Sequence, residues 1–549
     1  MIKFLFISSC CLFFINCAAQ KTTPIKAPAV IVRKHHPVKV LNCWQQLDIE
    51  KDTMAGTSLQ RAYKEILKNK KGKEIIVAVI DTDIDIHHED LKSSIWVNKD
   101  EIPNNGKDDD NNGYIDDVNG WNFLGTVKGE SMIYANTEPT RVLKSLKKKY
   151  PNFPVFNGNK KDSLLYLIAT NEYAQDKDFM IYLRKYAVEN LTKYRESEKG
   201  LMQKFNKTKF TLSELDSLYF KNKKDSSLTD NIIYMRMFTR LGKDYNSLKN
   251  DSIKVEDKLR TTYNEAFYDR LITGDNEFDF KDTHYGNNNV YKNATWTYHG
   301  TIVSGVIGAN RANKIGIEGF SDQIKIMPIL AIPSGGYEHD KDVALAIRYA
   351  VDNGAQIINM SFGKTMSLYP ELIKEAFLYA EKHNVLLVAG SGNDSSDNDI
   401  KPFYPIDYDE TTEVEFCNNF IKVGAVALDC DTYFLADFTN YGKKTVDVFA
   451  PGFFLKTTDA EAGYSYRDGT SMASPIVAGV AALVWSYYPK LSATQLKQII
   501  LESGVAYNID VQVPGKKEGT LKPFSSLSKS GKVVNAYNAL LMAEEYNKK

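Results

Sequence analysis

The chain has 549 residues, 43% of them apolar and 25% charged, which is the make-up of a globular protein and excludes collagenous, mucin-like and wholly disordered chains. Lys+Arg and Asp+Glu both number 69, so the net charge is zero. A protein that coats nucleic acid needs a basic excess, and nucleic acid is therefore excluded as a partner. No feature signals an oligomer or an organic cofactor.

The first element is Lys3 followed by a mostly apolar run from Phe4 to Ile15. Twelve residues are too few to span a bilayer but match the core of a signal peptide, read here as 1–19. Two cleavage readings stand. Phe14-Ile15-Asn16-Cys17 resembles a lipoprotein box, in which Cys17 is lipidated and attaches the protein to a membrane. Ordinary cleavage after Ala19 is the other. Either way the chain is expected to be exported: periplasmic, lipid-anchored or secreted. Residues 20–41 are rich in Lys, Pro, Thr and Val and read as a tether. Of six cysteines, Cys43, Cys417 and Cys430 lie beyond the signal. The latter two are read as buried thiols, with a bridge as the rival reading.

Ile75–Ile80 is a short, continuous apolar run, the pattern of a parallel strand buried on both faces. Similar runs recur at 324–330, 356–360, 385–388 and 420–426, with helical patterns between them at 342–353 and 370–383. Alternating β and α predicts an α/β fold: a doubly wound, mostly parallel sheet with helices on both faces. Its residues are assigned to 42–123 and 285–545. Residues 124–284 break the rhythm. They carry 29 Lys/Arg against 23 Asp/Glu, lack cysteine and repeat Leu, Tyr and Met at helical spacing. An inserted, charged α-helical subdomain is expected there.

Three segments carry chemistry. Gly469-Thr470-Ser471-Met472-Ala473-Ser474-Pro475 delivers Ser471 to the start of an apolar helix, where free N–H groups and the positive dipole end favour an anionic intermediate. Pro475 is expected in the first turn, where its missing N–H costs nothing. A serine hydroxyl needs a base, and His299 heads the small-residue segment His299–Gly305. The base needs an orienting carboxylate, and Asp81 ends the first strand, where α/β sheets build sites.

Val79–Thr82, His299–Thr301 and Gly469–Pro475 resemble, in that order, the Asp, His and Ser motifs of the subtilisin-like serine peptidases. Val388–Asn393 resembles that family's oxyanion segment, with Asn393 as donor. The resemblance further implies that Ser361, Phe362 and Gly363 pair with substrate backbone and wall the first specificity pocket, with Gly390, Ser391 and Gly392 opposite. A fairly open, apolar pocket is expected. The implied activity is hydrolysis of protein or peptide substrates by a serine endopeptidase. The alternative is a silent lipoprotein of the same fold that binds or scaffolds a partner. Asp83 and Ile302 depart from the pattern, standing where Gly and a second His are common. No inhibitory propeptide is evident.

Asp108–Asp117 places oxygen side chains at alternate positions before Gly113, like the opening of a calcium loop. Asp108, Asp110 and Asn112 fit as ligands, with Tyr114 through its carbonyl and Asp116 after it. Position twelve is Asn119, which is not the usual glutamate. The family's structural calcium supports the expectation of bound Ca²⁺.

Overall fold

The computed structural model describes residues 23–29, 41–126, 128–291, 298–409 and 411–548. Its centre is a nine-stranded sheet in the order Val505–Ala506, Lys532–Val533, Val448–Pro451, Phe420–Val426, Leu386–Gly390, Ile357–Met360, Ile75–Asp81, Ile324–Leu330 and Trp121–Asn122. Every neighbouring pair is parallel except the first, which is antiparallel. The α/β expectation holds, and the predicted strands lie within a residue or two of the observed ones.

The alternation inside Ile75–Asp81 explains why the sheet is covered twice. Ile75, Val77 and Val79 join the core formed by the helices His299–Gly308 and Thr470–Tyr487. Ala78 and Ile80 join the opposite core, under Asp340–Asp352 and Pro370–Lys382. Side chains two apart share a face, so a strand apolar at every position must be buried on both. Ile75–Asp81 pairs with Ile324–Leu330 on one side and Ile357–Met360 on the other. The chain runs outward in both directions from this strand, and the crevice at its carboxyl end is where such sheets bind ligands.

Thr470–Tyr487 is the one helix among the described residues long and apolar enough to cross a membrane, and 89% of it is buried in the protein. It packs beneath the sheet as a core helix. Gly479 lets Phe320 close on it: a Cβ there would lie 2.2 Å from the ring.

Residues 138–260 are mainly helical. A helix at Glu138–Lys149 is followed by one of 46 residues, Lys160–Phe205, and by Leu212–Lys221, Ser226–Arg240 and Tyr245–Arg260. Asn159, Thr211, Asp225 and Asp244 cap four of their N-termini through side-chain oxygens, satisfying donors that lack intrahelical partners. Tyr194, Leu201, Leu215, Ile232, Met235 and Phe238 form a small core of their own. The chain leading into these helices is woven into the main fold. Gly335 and Ala135, and Gly335 and Ile133, exchange backbone hydrogen bonds of 2.8 and 3.1 Å.

Cys417 is buried and Cys430 partly so, and neither is bridged. In the tether, Ile25 is buried, and its N–H and carbonyl bond the Asn538 amide side chain at 2.7 and 3.0 Å. Cys17 and the signal segment lie outside the described residues.

Candidate active site

Asp81 is the last residue of its strand and is fully buried. Its Oδ1 accepts from the Thr82 N–H at 2.7 Å and faces His299 Nδ1 at 2.8 Å. His299 opens its helix, and its side chain is 36% exposed. The helix can come this close because its second residue is glycine. A Cβ on Gly300 would lie 2.5 Å from Thr82 O and 2.9 Å from Asp83 O. Burial pulls the His299 pKa down and Arg467 opposes protonation, but the Asp81 charge and hydrogen bond outweigh both, so it stands above its ordinary value. Ile302, where a second histidine was the common pattern, is buried in the core, and its carbonyl accepts from Thr457 Oγ1 at 2.6 Å.

Ser471 is the second residue of its helix, behind Gly469 at φ +141°. The proline expectation needs correction. Pro475 lies inside the helix, beyond the first turn. It withholds the N–H that would bond the Ser471 carbonyl four residues earlier. The Ser361 hydroxyl supplies the missing donor at 3.1 Å, and its oxygen lies 2.9 Å from both Asn359 Nδ2 and Ser474 Oγ. The vacated carbonyl thus becomes the link between the nucleophile's helix and the Ile357–Met360 strand. The Ser471 hydroxyl donates to the Ser361 carbonyl at 3.0 Å.

Asn393 approaches from the end of Leu386–Gly390. Its Oδ1 accepts from the Thr470 N–H at 2.9 Å and from Thr470 Oγ1 at 3.1 Å. This fixes the amide so that the Nδ2 donor faces away from Thr470. Asn393 Nδ2 and the Ser471 N–H both lie 3.6 Å from the point a Cβ on Gly469 would occupy. Two donors thus flank one spot beside the hydroxyl-bearing residue, and glycine keeps that spot open.

Ser361, Phe362, Gly363, Gly390, Gly392, Asn393, Thr470 and Ser471 line one cavity of about 230 Å³, together with Ile332, Gly336, Tyr337, Glu338 and Phe403. Ser391 does not line it; its hydroxyl donates to the Asn440 carbonyl at 2.9 Å and anchors the loop. Glu338 carries no local sequence signal. It is 4% exposed, and burial pushes its carboxyl up to about 7 against the lowering pull of Lys364 and Arg141.

The acidic loop is built differently from its sequence pattern. Asp108 accepts from the Asn112 and Gly113 N–H groups at 3.0 and 2.8 Å, and Asp116 accepts from those of Asn105 and Gly106 at 3.1 and 2.8 Å. Each of these four oxygens thus accepts from one backbone N–H. Tyr114 packs against Trp121 and Tyr349. The carboxylates whose oxygens converge within 4.8 Å, among the described residues, are Glu101, Asp110 and Asp117. Glu101 Oε2 is buried without a hydrogen-bond partner. The Asn112 amide lies between the other two, 3.1 Å from each. Glu101 and Asp117 lie outside the five ligands that the loop's spacing implies, Asp108, Asp110, Asn112, Tyr114 and Asp116.

The Subtilase family (peptidase S8) profile matches residues 72–523. The chain belongs to this family. It is 38% identical over 210 residues to the thermophilic serine proteinase of Bacillus sp. strain AK1, a match covering 38% of this chain and 46% of that protein. It is 34% identical over 200 residues to subtilisin DY of Bacillus licheniformis, covering 36% and 67% respectively. Fervidolysin of Fervidobacterium pennivorans is 30% identical over 278 residues, covering 46% and 35%. Against the first of these relatives the chain spans less than half the relative's length. Among solved structures, a cold-adapted subtilisin-like serine proteinase aligns with 43% of this chain and 74% of its own, at 24% identity and a TM-score of 0.33.

Proposed function

We propose that the protein is an exported serine endopeptidase that cleaves peptide bonds through an acyl-enzyme. The observation that carries this reading is the Asp81–His299 hydrogen bond of 2.8 Å at the carboxyl end of the central strand; Ser471 and Asn393 together line one cavity. To attack, the Ser471 hydroxyl leaves the Ser361 carbonyl, a rotation of about 120° about Cα–Cβ. His299 Nε2 takes its proton as Oγ bonds the scissile carbonyl carbon. Asp81 holds the Nδ1–H tautomer and stabilises the imidazolium. The carbonyl oxygen, now anionic, accepts from Asn393 Nδ2 and the Ser471 N–H. His299 then protonates the departing amine, and water repeats the cycle on the ester. A buried, hydrogen-bonded Asp81 with an intact base favours this over the silent scaffold.

We further propose that Glu101, Asp110 and Asp117 hold a calcium ion that would tie together the segment between the strands Ile75–Asp81 and Trp121–Asn122, and that Cys17 is the lipidated N-terminus after export. Fatty-acid labelling lost in Cys17→Ser supports the anchor; unchanged labelling excludes it.

The peptidase test is labelling by a serine-directed fluorophosphonate together with cleavage of a fluorogenic peptide. Both are expected in the wild type and absent in Ser471→Ala. Equal cleavage by the two proteins would refute the mechanism.

A further inference from the structure

Resting on the endopeptidase reading, we infer that Phe403 closes the pocket between the two glycine walls, and that the enzyme selects peptides with a small side chain, Gly, Ala or Ser, before the scissile bond.

The ring's position follows from the two glycines. A Cβ on Gly363 would lie 2.4 Å from Phe403 Cε1 and 3.0 Å from Cδ1. A Cβ on Gly392 would lie 3.0 Å from Cγ and from Cδ2 of the same ring. One edge of the ring therefore abuts the Ser361–Gly363 wall and the other abuts the Gly390–Gly392 wall. The phenyl group spans the gap into which a substrate side chain would pass, and any side chain on either glycine would overlap it. Contacts this close are tolerated only where the facing residue has no Cβ. Phe403 also lines the cavity shared by Ser471 and Asn393, so it bounds that space.

The ring is also held in place. The Phe403 carbonyl accepts from Lys422 Nζ at 2.8 Å, and that nitrogen lies 5.3 Å from the ring centroid. Lys422 is 1% exposed and also donates to the Pro405 carbonyl at 2.7 Å. Burial pulls the Lys422 amine down to about 7, so its two hydrogen bonds to the Phe403 and Pro405 carbonyls, not a fixed charge over the ring, hold the segment in place. Next to it, the Tyr404 N–H and carbonyl pair with Lys364, at 2.7 and 3.1 Å. Wall, ring and lysine form one unit. Displacing the ring to admit a phenyl or isobutyl group would overpack this assembly, which is itself destabilising.

The test uses two diphenyl phosphonate probes, one with a methyl and one with a benzyl side chain, and matching peptide substrates with Ala or Phe before the cleaved bond. Wild type is expected to react with the methyl probe and to cleave after Ala at least tenfold faster than with the benzyl probe and after Phe. Phe403→Gly, with Phe403→Ala as a second variant should the first fail to fold, is expected to raise the Phe:Ala ratio at least tenfold. Equal wild-type rates on the two side chains, or an unchanged ratio in a folded variant, overturns the pocket assignment. A fluorophosphonate without a side chain separates the failures. If it labels Ser471 while both diphenyl phosphonates react alike, only the pocket claim falls. If it does not label Ser471, the peptidase reading falls and the pocket claim with it.

Discussion

Arg141 places its Nη2 2.6 Å from the carbonyl oxygen of Glu338, so a helix between the Asp81 and His299 segments holds the rim of the cavity that Ser471 lines. The same guanidinium donates to the carbonyls of Tyr337 at 3.0 Å and Asn136 at 2.8 Å, and to Glu138. Glu138 in turn pairs with Lys364 at 3.2 Å, next to Gly363. Arg141 is buried, and breaking a buried pair leaves an uncompensated charge worth about 3–5 kcal/mol. Arg141→Ala is expected to lose that much stability in denaturant melts and to raise KM. Arg141→Ala combined with Glu138→Gln should cost less than the sum of the single changes, because the two share one network. Additive losses would show that the network is not coupled.

Gly300 sets how closely the base approaches its carboxylate. With Thr82 O and Asp83 O at 2.5 and 2.9 Å from a new Cβ, Gly300→Ala must push the His299 helix away from the Asp81 turn. Misplacement of about 1 Å costs roughly 10²-fold in turnover. The expected result is a kcat drop of that size with KM nearly unchanged. Wild-type kcat in the alanine variant would mean the turn yields instead of the helix.

Asn393→Ala removes one donor to the developing oxyanion, and a loss of about 10²–10³ in kcat is expected. Asn393 Oδ1 also holds the Thr470 N–H, so Asn393→Asp keeps that anchor while replacing the amide donor with an anionic acceptor. The aspartate variant should therefore melt above the alanine variant while its kcat falls at least as far. An aspartate variant with wild-type turnover would remove Asn393 from the chemistry.

How much of this was legible in the sequence depends on how far apart the cooperating residues lie. Asp81, His299, Ser471 and Asn393 each sit in a short segment whose neighbours shape the same turn: Gly300 admits the helix and Gly469 takes a backbone angle of φ +141° that favours glycine. A contiguous string therefore carries the signal. Phe403 acts through Gly363 and Gly392, and Arg141 through Tyr337 and Glu338 nearly two hundred residues away. No local pattern marks such partners, because their role arises only when the sheet brings the segments together. Pro475 shows the same limit at short range. Its place relative to Ser471 was plain, but the hydroxyl that compensates for it comes from residue 361.

The pH profile follows from His299 and Glu338. Attack requires neutral His299, whose pKa is held above its ordinary value by Asp81. The acid limb of kcat/KM is therefore expected above about pH 6.5. Because the folded pKa is the higher one, protonated His299 adds stability that is complete below the unfolded value and is lost as pH rises through the folded one. Asp81→Asn should move the limb to lower pH and cut kcat by about 10⁴. Glu338, pushed up to about 7, destabilises the fold when it ionises. Glu338→Gln should melt higher than wild type at pH 8 and converge with it at pH 4. A variant with the wild-type pH dependence of melting would show that the carboxyl does not titrate there.

Calcium dependence separates two arrangements of the acidic loop. If the ion sits among Glu101, Asp110 and Asp117, its removal leaves three carboxylates converging within 4.8 Å with only amide and hydroxyl donors to offset their repulsion. Chelator is then expected to lower Tm, and calcium at about 100 times its Kd should restore about 2.7 kcal/mol. Glu101→Gln should weaken calcium binding by titration calorimetry and shrink the chelator effect, since one of the repelling charges is gone. Asp108→Asn and Asp116→Asn act on backbone N–H groups of the turns. They should lower Tm equally with and without calcium. If instead Asp108→Asn and Asp116→Asn abolish the calcium response while Glu101→Gln leaves it intact, the ion belongs to the linear loop, and the loop rearranges on binding to free those two carboxylates from the backbone.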